Sequence, residues 1–463
     1  MSELLDYRLV RELQGKVADL QLDDRRSLQA RGLPVRSSAD EQQQAQSFIR
    51  TVVSQHMQDR VASGQELPSD TAYDTRLRAA IYSAIYGAGE LQELLDDELV
   101  ENININGCDE TWVTYAGGQK QQWRPVAASN EDLISIVQNL GSYAGMNARP
   151  FSPTTPELDV RLQDGSRLSA IMSASEAPSI SIRRNRYPQM FLRPDIAQQA
   201  SKPHTERLPD LVSLGTVTEE VADFLYAAVR SRCNIIVGGA TDAGKTTLLR
   251  ALINCIDPLE RLVIIEKALE LGIKRHHELH ADVVELEEVL PDSEGRFAGL
   301  DIATLVRRSR RMDPSRVIVG EVLGPEVVEM LSAMAQGNDG SLSTIHARDA
   351  REVFNRIATY AVQNAMPSFE VAHSLMAGAI DFVVFVEKNP KMGMRRTVTE
   401  IIEVGGMMEG RVAQSNIFVP SPEDGRAVRQ HEVPIVRMER LARASQFSDG
   451  LPAWSTSPGQ GAW

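Results

Sequence analysis

Residues 234–249 read NIIVGGATDAGKTTLL, which is a short β-branched run, a glycine-framed turn and then residues suited to begin a helix. Residues 239–246 match the pattern G-x-x-x-x-G-K-[ST], in which backbone amides surround phosphates, the lysine reaches the β and γ oxygens, and the hydroxyl holds Mg²⁺. Because a strand leads the turn into a helix N-terminus, unpaired N–H groups and the helix dipole attract an anion there. The stretch therefore predicts a nucleotide site. Its predicted binding residues are Gly239, Ala240, Thr241, Asp242, Ala243, Gly244, Lys245, Thr246 and Thr247, with Thr246 also as a Mg²⁺ ligand.

The composition limits the class of protein. The chain has 463 residues, enough for two or three domains, and 42% of them are hydrophobic, which is ordinary for an α/β protein. The net charge of −14 argues against a general nucleic-acid binder, because such proteins pair Lys and Arg with phosphates. The three cysteines form no C-x-x-C pair, and there is neither a run of ~20 apolar residues nor a signal-peptide pattern. We expect a cytoplasmic protein whose attachment to the inner membrane runs through partners.

Changes in periodicity divide the chain. Helical spacing of apolar residues dominates the first part, and alternation with a period of two begins at Asn102. After a proline-containing segment, continuous β-branched runs alternate with helices, which indicates a mostly parallel sheet buried on both faces. The predicted fold class is α/β, with a RecA-like P-loop NTPase domain, a smaller α+β domain before it and a leading helical region. The predicted segments are an N-terminal tail with one helix (1–35), a helical region (36–98), the α+β domain (99–186), a linker (187–216), the P-loop domain (217–405) and a partly disordered C-terminal tail (406–463).

Acidic residues end two apolar strands of the P-loop domain. Glu266 ends RLVIIE and Glu321 ends RVIVGE, and ligands of parallel α/β sheets sit beyond the carboxyl ends of the strands. Each is a candidate for positioning the attacking water or for holding Mg²⁺, directly or through a metal-bound water. Glu270 lies four residues beyond Glu266, and His346 lies near the end of another strand, where an imidazole can donate to the γ-phosphate. The alternative for the acids is plain solvent exposure, and for the histidine it is a structural role.

Other charged clusters admit more than one interpretation. Arginines on strands of the α+β domain either contact phosphate or form a solvated face with salt bridges; these are Arg161, Arg167 and Arg183. A cluster before RVIVGE either serves as an arginine finger across a subunit interface or balances acidic surface; it comprises Arg307, Arg308, Arg310 and Arg311. Three histidines do not form H-E-x-x-H and have no evident further ligand, so we assign no zinc site to them; they are His276, His277 and His280.

Taken together, these segments resemble the type II/IV secretion ATPase superfamily, and most closely its CpaF-like branch, which powers Flp or tight-adherence pili. The resemblance covers residues 70–404. In the P-loop domain the segments that carry it are LVSLGTVTEEVADFL, GGATDAGKTTLLRAL, RLVIIE, RRMDPSRVIVGEVLGPE and GNDGSLSTIHA. In the α+β domain they are LDVRLQDGSRLSAI and SISIRR, which look like the segments that supply arginines to the nucleotide.

The resemblance implies a ring-shaped homohexamer that binds ATP and Mg²⁺ between its two domains and works with inner-membrane platform proteins of a secretion or pilus machine. It implies that Glu266 and Glu270 form an acidic box, that Glu321 is the Walker B acid and that His346 is a phosphate sensor. It also makes Arg161, Arg167 and Arg183 candidate phosphate contacts.

Several positions depart from the family pattern. Asp242 and Ala243 stand where Gly and Ser are usual, Lys267 replaces an Asp, and Leu323 replaces an Arg. Asp313 also stands where many members carry an Arg. A carboxylate inside the phosphate loop should weaken ATP binding unless it points outward, although Asp tolerates a left-handed backbone.

These departures leave alternatives to an ATP-hydrolysing hexameric motor. One is a nucleotide-binding regulatory or scaffold subunit of the same machine with weak or no hydrolysis. A conjugative DNA-transfer ATPase is disfavoured by the acidic balance, and a GTPase by the lack of an Asn-Lys-x-Asp motif.

Overall fold

The structure is a computed structural model that forms two compact units, residues 1–186 and 187–463. It describes residues 7–31, 38–64, 72–142, 151–162, 164–196, 208–289, 291, 298–324, 326–364 and 366–446.

Three helices begin the first unit. They are α1 (Tyr7–Ala30), α2 (Ser38–Ala62) and α3 (Tyr73–Tyr86). Apolar side chains of all three share one buried cluster, to which α1 contributes Val10, Leu13 and Val17. Because these three recur at helical spacing, they present one apolar stripe to the neighbouring helices. Helix α1 lies within the segment predicted as an N-terminal tail with one helix, 1–35, and it packs against α2 and α3.

A six-stranded antiparallel sheet forms the rest of the first unit. Its strands are β1 (Val100–Asn106), β2 (Thr111–Tyr115), β3 (Lys120–Trp123), β4 (Glu157–Arg161), β5 (Arg167–Ile171) and β6 (Ser179–Arg183), in the order β3-β2-β1-β6-β5-β4. The helices α4 (Leu91–Asp96) and α5 (Asn130–Ser142) share its buried apolar cluster. In β1, β5 and β6 buried apolar residues alternate with more exposed polar ones, so one face of the sheet is core and the other is polar.

A nine-stranded sheet forms the centre of the second unit, in the order β15-β14-β13-β12-β7-β11-β10-β8-β9. The strands from β12 to β9 in that order run parallel. They are β7 (Ile235–Gly239), β8 (Leu262–Glu266), β9 (Val283–Glu287), β10 (Arg316–Val322), β11 (Leu342–His346) and β12 (Phe382–Asn389). The predicted β-branched runs are therefore neighbours in one sheet.

Helices cover both faces of this parallel sheet. They are α6 (Glu219–Arg230), α7 (Lys245–Ile253), α8 (Ile302–Ser309), α9 (Glu326–Ala335), α10 (Glu352–Gln363) and α11 (Phe369–Ala379). Two buried clusters, one on each face, take alternate residues of the same strands, such as Ile235 in one and Ile236 in the other. The predicted α/β class with a P-loop domain is confirmed.

The predicted linker at 187–216 packs onto the second unit wherever the structure describes it. Met190, Leu192 and Leu211 are at most 2% exposed and belong to the cluster under α6 and α7. A run of apolar side chains among the prolines supplies this contact, and burying it stabilises the segment by roughly 2 kcal/mol per large side chain. Residues 197–207 lie outside the described residues.

The segment predicted as a partly disordered C-terminal tail, 406–463, forms strands and a helix in the part that the structure describes, residues 406–446. Strands β13 (Arg395–Met408), β14 (Arg411–Pro420) and β15 (Ala427–Arg429) extend the sheet antiparallel to β12, and α12 (Met438–Gln446) follows. The β13–β14 turn is Glu409-Gly410, with φ of 50° and 74°. Positive φ at both positions is the hairpin geometry that an Asn-Gly pair usually signals. Because glutamate stands in the first position here, the sequence does not show the usual turn motif.

Two arginines tie this C-terminal segment to the start of β7. Arg437 Nε donates to Asp381 Oδ1 at 2.5 Å, and its backbone N–H donates to Glu403, which is 1% exposed. Arg440 donates to the carbonyl oxygens of Ser231 and Arg232. Asp381 in turn accepts from the backbone N–H of Asn234 at 2.8 Å. The buried acids are thus compensated by cations from α12 and the residue before it, as buried charges require.

Candidate active site

The phosphate loop, residues 239–246, lies at the carboxyl edge of the parallel strands. β7 ends at Gly239, and His346 at the end of β11 is in register with it. A Cβ at Gly239 would lie 2.4 Å from the carbonyl oxygen of Val386, so the strand needs glycine there. The loop leads directly into α7, which begins at Lys245. Strand edge and helix N-terminus therefore meet where an anion is best stabilised.

Lys245, His346 and Glu321 form a triad at this edge. Lys245 Nζ lies 3.0 Å from His346 Nδ1, and His346 Nε2 lies 2.9 Å from Glu321 Oε1. Lys245 Nζ is also 3.8 Å from Glu321 Oε1 and donates to the Ala240 carbonyl at 3.1 Å. The structure thus brings together three predicted site residues from the phosphate loop, β10 and β11.

The chemistry of the triad assigns the protons of the imidazole. An ammonium only donates hydrogen bonds and a carboxylate only accepts them. Nδ1 of His346 must therefore accept from Lys245, and Nε2–H must donate to Glu321. A neutral imidazole with its proton on Nε2 satisfies both partners at once. His346 is therefore hydrogen-bonded to both the phosphate-loop lysine and the acid at the end of β10.

The acidic loop, residues 266–271, lies beside the start of α7. Glu270 Oε2 accepts from the Thr246 hydroxyl at 3.4 Å. Glu266 is 5% exposed and accepts from the backbone N–H groups of Glu270 and Leu271 at 3.1 and 3.2 Å. Gly320 makes room for it, since a Cβ there would lie 2.8 Å from Glu266 Cγ. Glu266 shapes the loop, and Glu270 is the acid of the pair that contacts the phosphate-loop residues.

Burial raises the pKa of Glu266 to about 8, and the nearby Glu270 carboxylate acts in the same direction. The hydrogen bonds from the two backbone N–H groups oppose this shift. The burial of Glu266 and its bonds to the backbone of the acidic loop suit a residue that holds this loop in shape better than one that activates water.

Arg250 on α7 is a site residue that sequence reasoning missed. It is 4% exposed, and its guanidinium donates to the carbonyls of Leu271 at 3.1 Å, Glu270 at 2.9 Å and Tyr187 at 2.5 Å. One side chain thus joins the phosphate-loop helix, the acidic loop and the first residue of the second unit. No sequence motif marks Arg250. A buried arginine that binds carbonyl oxygens cannot be told from other helix residues by its position in the sequence.

The arginines of the first unit form a row across three strands. Arg161 on β4 pairs in register with Arg167 on β5, and Arg167 pairs with Arg183 on β6. Neighbouring strands lie about 4.8 Å apart, so the row spans roughly 10 Å of the polar sheet face. Because residues paired in register point to the same side of a sheet, the three arginines share one face. Their contact with phosphate stays a prediction.

The arginine cluster at the end of α8 is partly structural. Arg307 and Arg310 both pair with Glu329 on α9, at 3.2 and 3.3 Å, and Arg310 also donates to Gln336. The cluster precedes β10, so it lies toward the amino ends of the parallel strands, opposite the phosphate loop of the same chain. These contacts support the interpretation as a surface that balances acids.

Comparison with known proteins places this chain in a family. Residues 86–449 match the family model described as Type II/IV secretion system protein. The chain belongs to that family. It is 28% identical over 358 residues to a putative conjugal transfer protein of Mycobacterium tuberculosis, covering 75% of this chain and 93% of the relative. It is 32% identical over 321 residues to the type IV secretion system protein PtlH of Bordetella pertussis, covering 67% and 92%. The crystal structure of the VirB11 ATPase from the Brucella suis type IV secretion system, in complex with sulphate, shares 25% identity over 70% of this chain and 96% of that one, with a TM-score of 0.35.

Membership of the type II/IV secretion family, together with a complete phosphate loop, identifies the chain as an ATPase. None of the helices in the part of the chain that the structure describes has the length and hydropathy needed to span a bilayer.

The residues that depart from the family pattern differ in backbone conformation and in exposure. Asp242 has φ of 60°, the left-handed backbone that Asp tolerates, so the loop keeps its turn as expected. Lys267 and Leu323 are exposed, and the backbone N–H of Leu323 donates to Glu326. Asp313 is exposed and also has a left-handed φ, of 54°.

The histidines at 276–280 have other partners. His276 Nδ1 lies 2.7 Å from Gln189 Nε2, and His280 Nε2 lies 3.2 Å from Asn254 Oδ1 on the segment that follows α7. Among the described residues, no group of three or more His, Cys, Asp or Glu side chains is placed to hold a metal ion. His280 is 2% exposed, and burial lowers its pKa to about 4.

This shift predicts a loss of stability in acid. The unfolded chain binds a proton at His280 below about pH 6.5, whereas the folded chain resists it until about pH 4. The free energy of unfolding should therefore fall by ~3 kcal/mol between these values, at ~1.4 kcal/mol for each pH unit. Urea unfolding of wild type and His280→Gln at pH 7, 5.5 and 4.5 measures the difference. The matched control is His277→Gln, because His277 is 88% exposed. Parallel pH profiles for wild type and His280→Gln would contradict the assignment.

Proposed function

We propose that this chain is the ATP-hydrolysing motor of a bacterial secretion or Flp/type IV-like pilus assembly machine, of the CpaF-like branch, and that it acts as a homohexamer. In this proposal it attaches to the cytoplasmic side of the inner membrane through platform proteins. The observation that carries the proposal is the convergence of Lys245, His346 and Glu321 at the phosphate loop.

The triad fits the chemistry of phosphoryl transfer. Lys245 is 7% exposed, so its charge is concentrated on the space in front of the loop rather than screened by water. A bound γ-phosphate would compete with Glu321 for this lysine and would accept from His346. Glu321 would then be released to orient the attacking water, the role that a carboxylate at the end of a neighbouring strand can fill. The residues thus exchange partners when the nucleotide arrives.

The residues beside Lys245 fit Mg²⁺. Thr246 offers a hydroxyl, and Glu270 and Glu321 offer carboxylates, the hard oxygen donors that this ion prefers. Mg²⁺ bound there would neutralise charge on the β- and γ-phosphates. Thr246 is the direct ligand in this proposal, and Glu321 acts through a bound water.

A scaffold subunit with weak hydrolysis is the second candidate, and Asp242 favours it. A carboxylate in the phosphate loop repels the nucleotide by ~1 kcal/mol in water at 4 Å, and by ~4 kcal/mol at an effective dielectric constant of 20. The closeness of Lys245, His346 and Glu321 supports the motor, because these are the phosphate-loop lysine and the two residues proposed to act in hydrolysis. A conjugative DNA-transfer role is disfavoured by the net charge of −14.

The motor proposal predicts that turnover depends on assembly. Purified protein should sediment as a hexamer with Mg²⁺-ATP, and turnover per subunit should rise with protein concentration as subunits associate. Sedimentation velocity and phosphate release across a dilution series measure both quantities. Tight binding of a labelled ATP analogue without phosphate release at any concentration would support the scaffold instead. Stimulation of turnover by DNA alone would support the DNA-transfer role.

A further inference from the structure

Arg396 on β13 contacts the outer side of the phosphate loop. Its Nε donates to the carbonyl oxygen of Asp242 at 2.9 Å. A Cβ on Gly244 would lie 3.1 Å from Arg396 Cδ and less than 4 Å from its Cβ and Cγ. The aliphatic part of the arginine therefore packs along Gly244 while the guanidinium holds Asp242. These are two independent contacts, one with Asp242, which departs from the family pattern, and one with the motif glycine Gly244.

The loop needs support at this point because its backbone is unusual there. Asp242 has φ of 60° and Gly244 has φ of 98°, and a non-glycine residue seldom takes the left-handed region without help. A loop that binds phosphate turns its N–H groups inward, so its carbonyls point outward and need donors of their own. Arg396 supplies a charged donor to the Asp242 carbonyl, and such bonds are roughly twice as strong as neutral ones.

The charge of Arg396 also acts against that of Asp242. A carboxylate in the loop repels the phosphates, and a guanidinium bonded to the same residue offsets its field. Arg396 belongs to the antiparallel hairpin of β12 and β13, paired in register with Lys388. The arginine thus comes from the C-terminal end of the predicted P-loop domain (217–405), where no motif links it to the nucleotide.

We propose that Arg396 is a positioning residue for the phosphate loop, which holds the left-handed turn at Asp242–Gly244 and offsets the Asp242 charge so that the loop binds Mg²⁺-ATP. This inference rests on the proposed ATP-binding function. It adds a residue from outside the phosphate loop, the acidic loop and the triad. Arg396 acts through the loop, so its main effect is on nucleotide affinity.

The test replaces Arg396 by methionine, which keeps the aliphatic packing on Gly244 and removes every donor and the charge. We expect the Kd for Mg²⁺-ATP to rise by roughly 10-fold to 100-fold, the range for loss of one charged hydrogen bond. KM should rise with it, and kcat should change by less than about 3-fold, because the triad is untouched. Arg396→Lys, which restores a charged donor, should recover part of the affinity. Equilibrium titration with a fluorescent ATP analogue and steady-state turnover give these values.

The matched control is Arg395→Ala, because Arg395 is exposed and successive strand residues point to opposite faces. Its Kd should stay within about 2-fold of wild type. Wild-type affinity in Arg396→Met would overturn the inference while leaving the ATPase proposal intact, and no ATP binding by wild type would remove both. Equal losses in Arg395→Ala, or an Arg396→Met chain that does not fold without nucleotide, would also overturn it. The latter outcome would assign Arg396 to the general stability of the sheet.

Discussion

Lys245→Ala should raise the Kd for Mg²⁺-ATP by about 100-fold or more and abolish measurable turnover. The lysine is 7% exposed and lies between the Ala240 carbonyl, His346 and Glu321. Its ammonium is the one cation that the G-x-x-x-x-G-K-[ST] motif itself brings to the β- and γ-phosphates. Removing a buried cation that makes several charged hydrogen bonds to a phosphate costs about 3 kcal/mol or more, which corresponds to this loss of affinity.

Titration with a fluorescent ATP analogue and phosphate release measure the effect. Lys274→Ala is the control, because Lys274 is an exposed lysine of the same domain. Thermal unfolding without nucleotide separates a binding defect from a folding defect. Affinity within a few-fold of wild type in a folded Lys245→Ala protein would show that phosphate binds elsewhere, and both functional proposals would fail.

Glu321→Gln should separate binding from hydrolysis. The variant keeps the shape of the side chain and its ability to accept from His346 Nε2, which lies 2.9 Å from the carboxylate. It loses the negative charge that orients water or holds a metal-bound water. We expect turnover to fall by roughly 10²-fold to 10⁴-fold, the usual contribution of a positioned acid or base. The Kd for Mg²⁺-ATP should stay within about 5-fold of wild type, because Lys245 and the loop amides are unchanged.

Single-turnover phosphate release and equilibrium binding distinguish these effects. Glu423→Gln serves as the control, since Glu423 is exposed on the segment between β14 and β15. Unchanged turnover would exclude Glu321 from the chemistry. The candidate acid would then be Glu270, which accepts a hydrogen bond from Thr246. An equal loss of binding and turnover would give Glu321 a role in holding the nucleotide.

The parts of the site that follow from local chemistry were predictable from the sequence. The phosphate loop is recognisable in the sequence from its two glycines and its lysine. Glu321 and His346 could be placed near it because parallel strands end at one edge, and the structure joins them through hydrogen bonds of 2.9 and 3.0 Å. The separate roles within the acidic box were not predictable. Whether Glu266 or Glu270 faces Thr246 depends on how the chain turns after β8, and burial of Glu266 decides it.

The residues that reach the loop from distant parts of the chain could not be found by pattern. Arg396 lies on β13, which is joined to β14 by the unusual turn Glu409-Gly410. Arg250 donates hydrogen bonds to carbonyl oxygens. Neither position has a motif around it. Both depend on the order of strands in the sheet, which periodicity does not specify.

The ion pairs of Arg437 and Arg440 with the central sheet determine how far the second unit can be truncated at its C-terminal end. Arg437 and Arg440 compensate Asp381 and Glu403 and hold the carbonyls just before β7. A recombinant fragment that stops at residue 405, where the motifs end, would therefore carry uncompensated interior charge next to β7, the strand that leads into the phosphate loop. A folded fragment of the second unit therefore has to extend past Arg440, so its C-terminal limit is set by ion pairs rather than by the last recognisable motif.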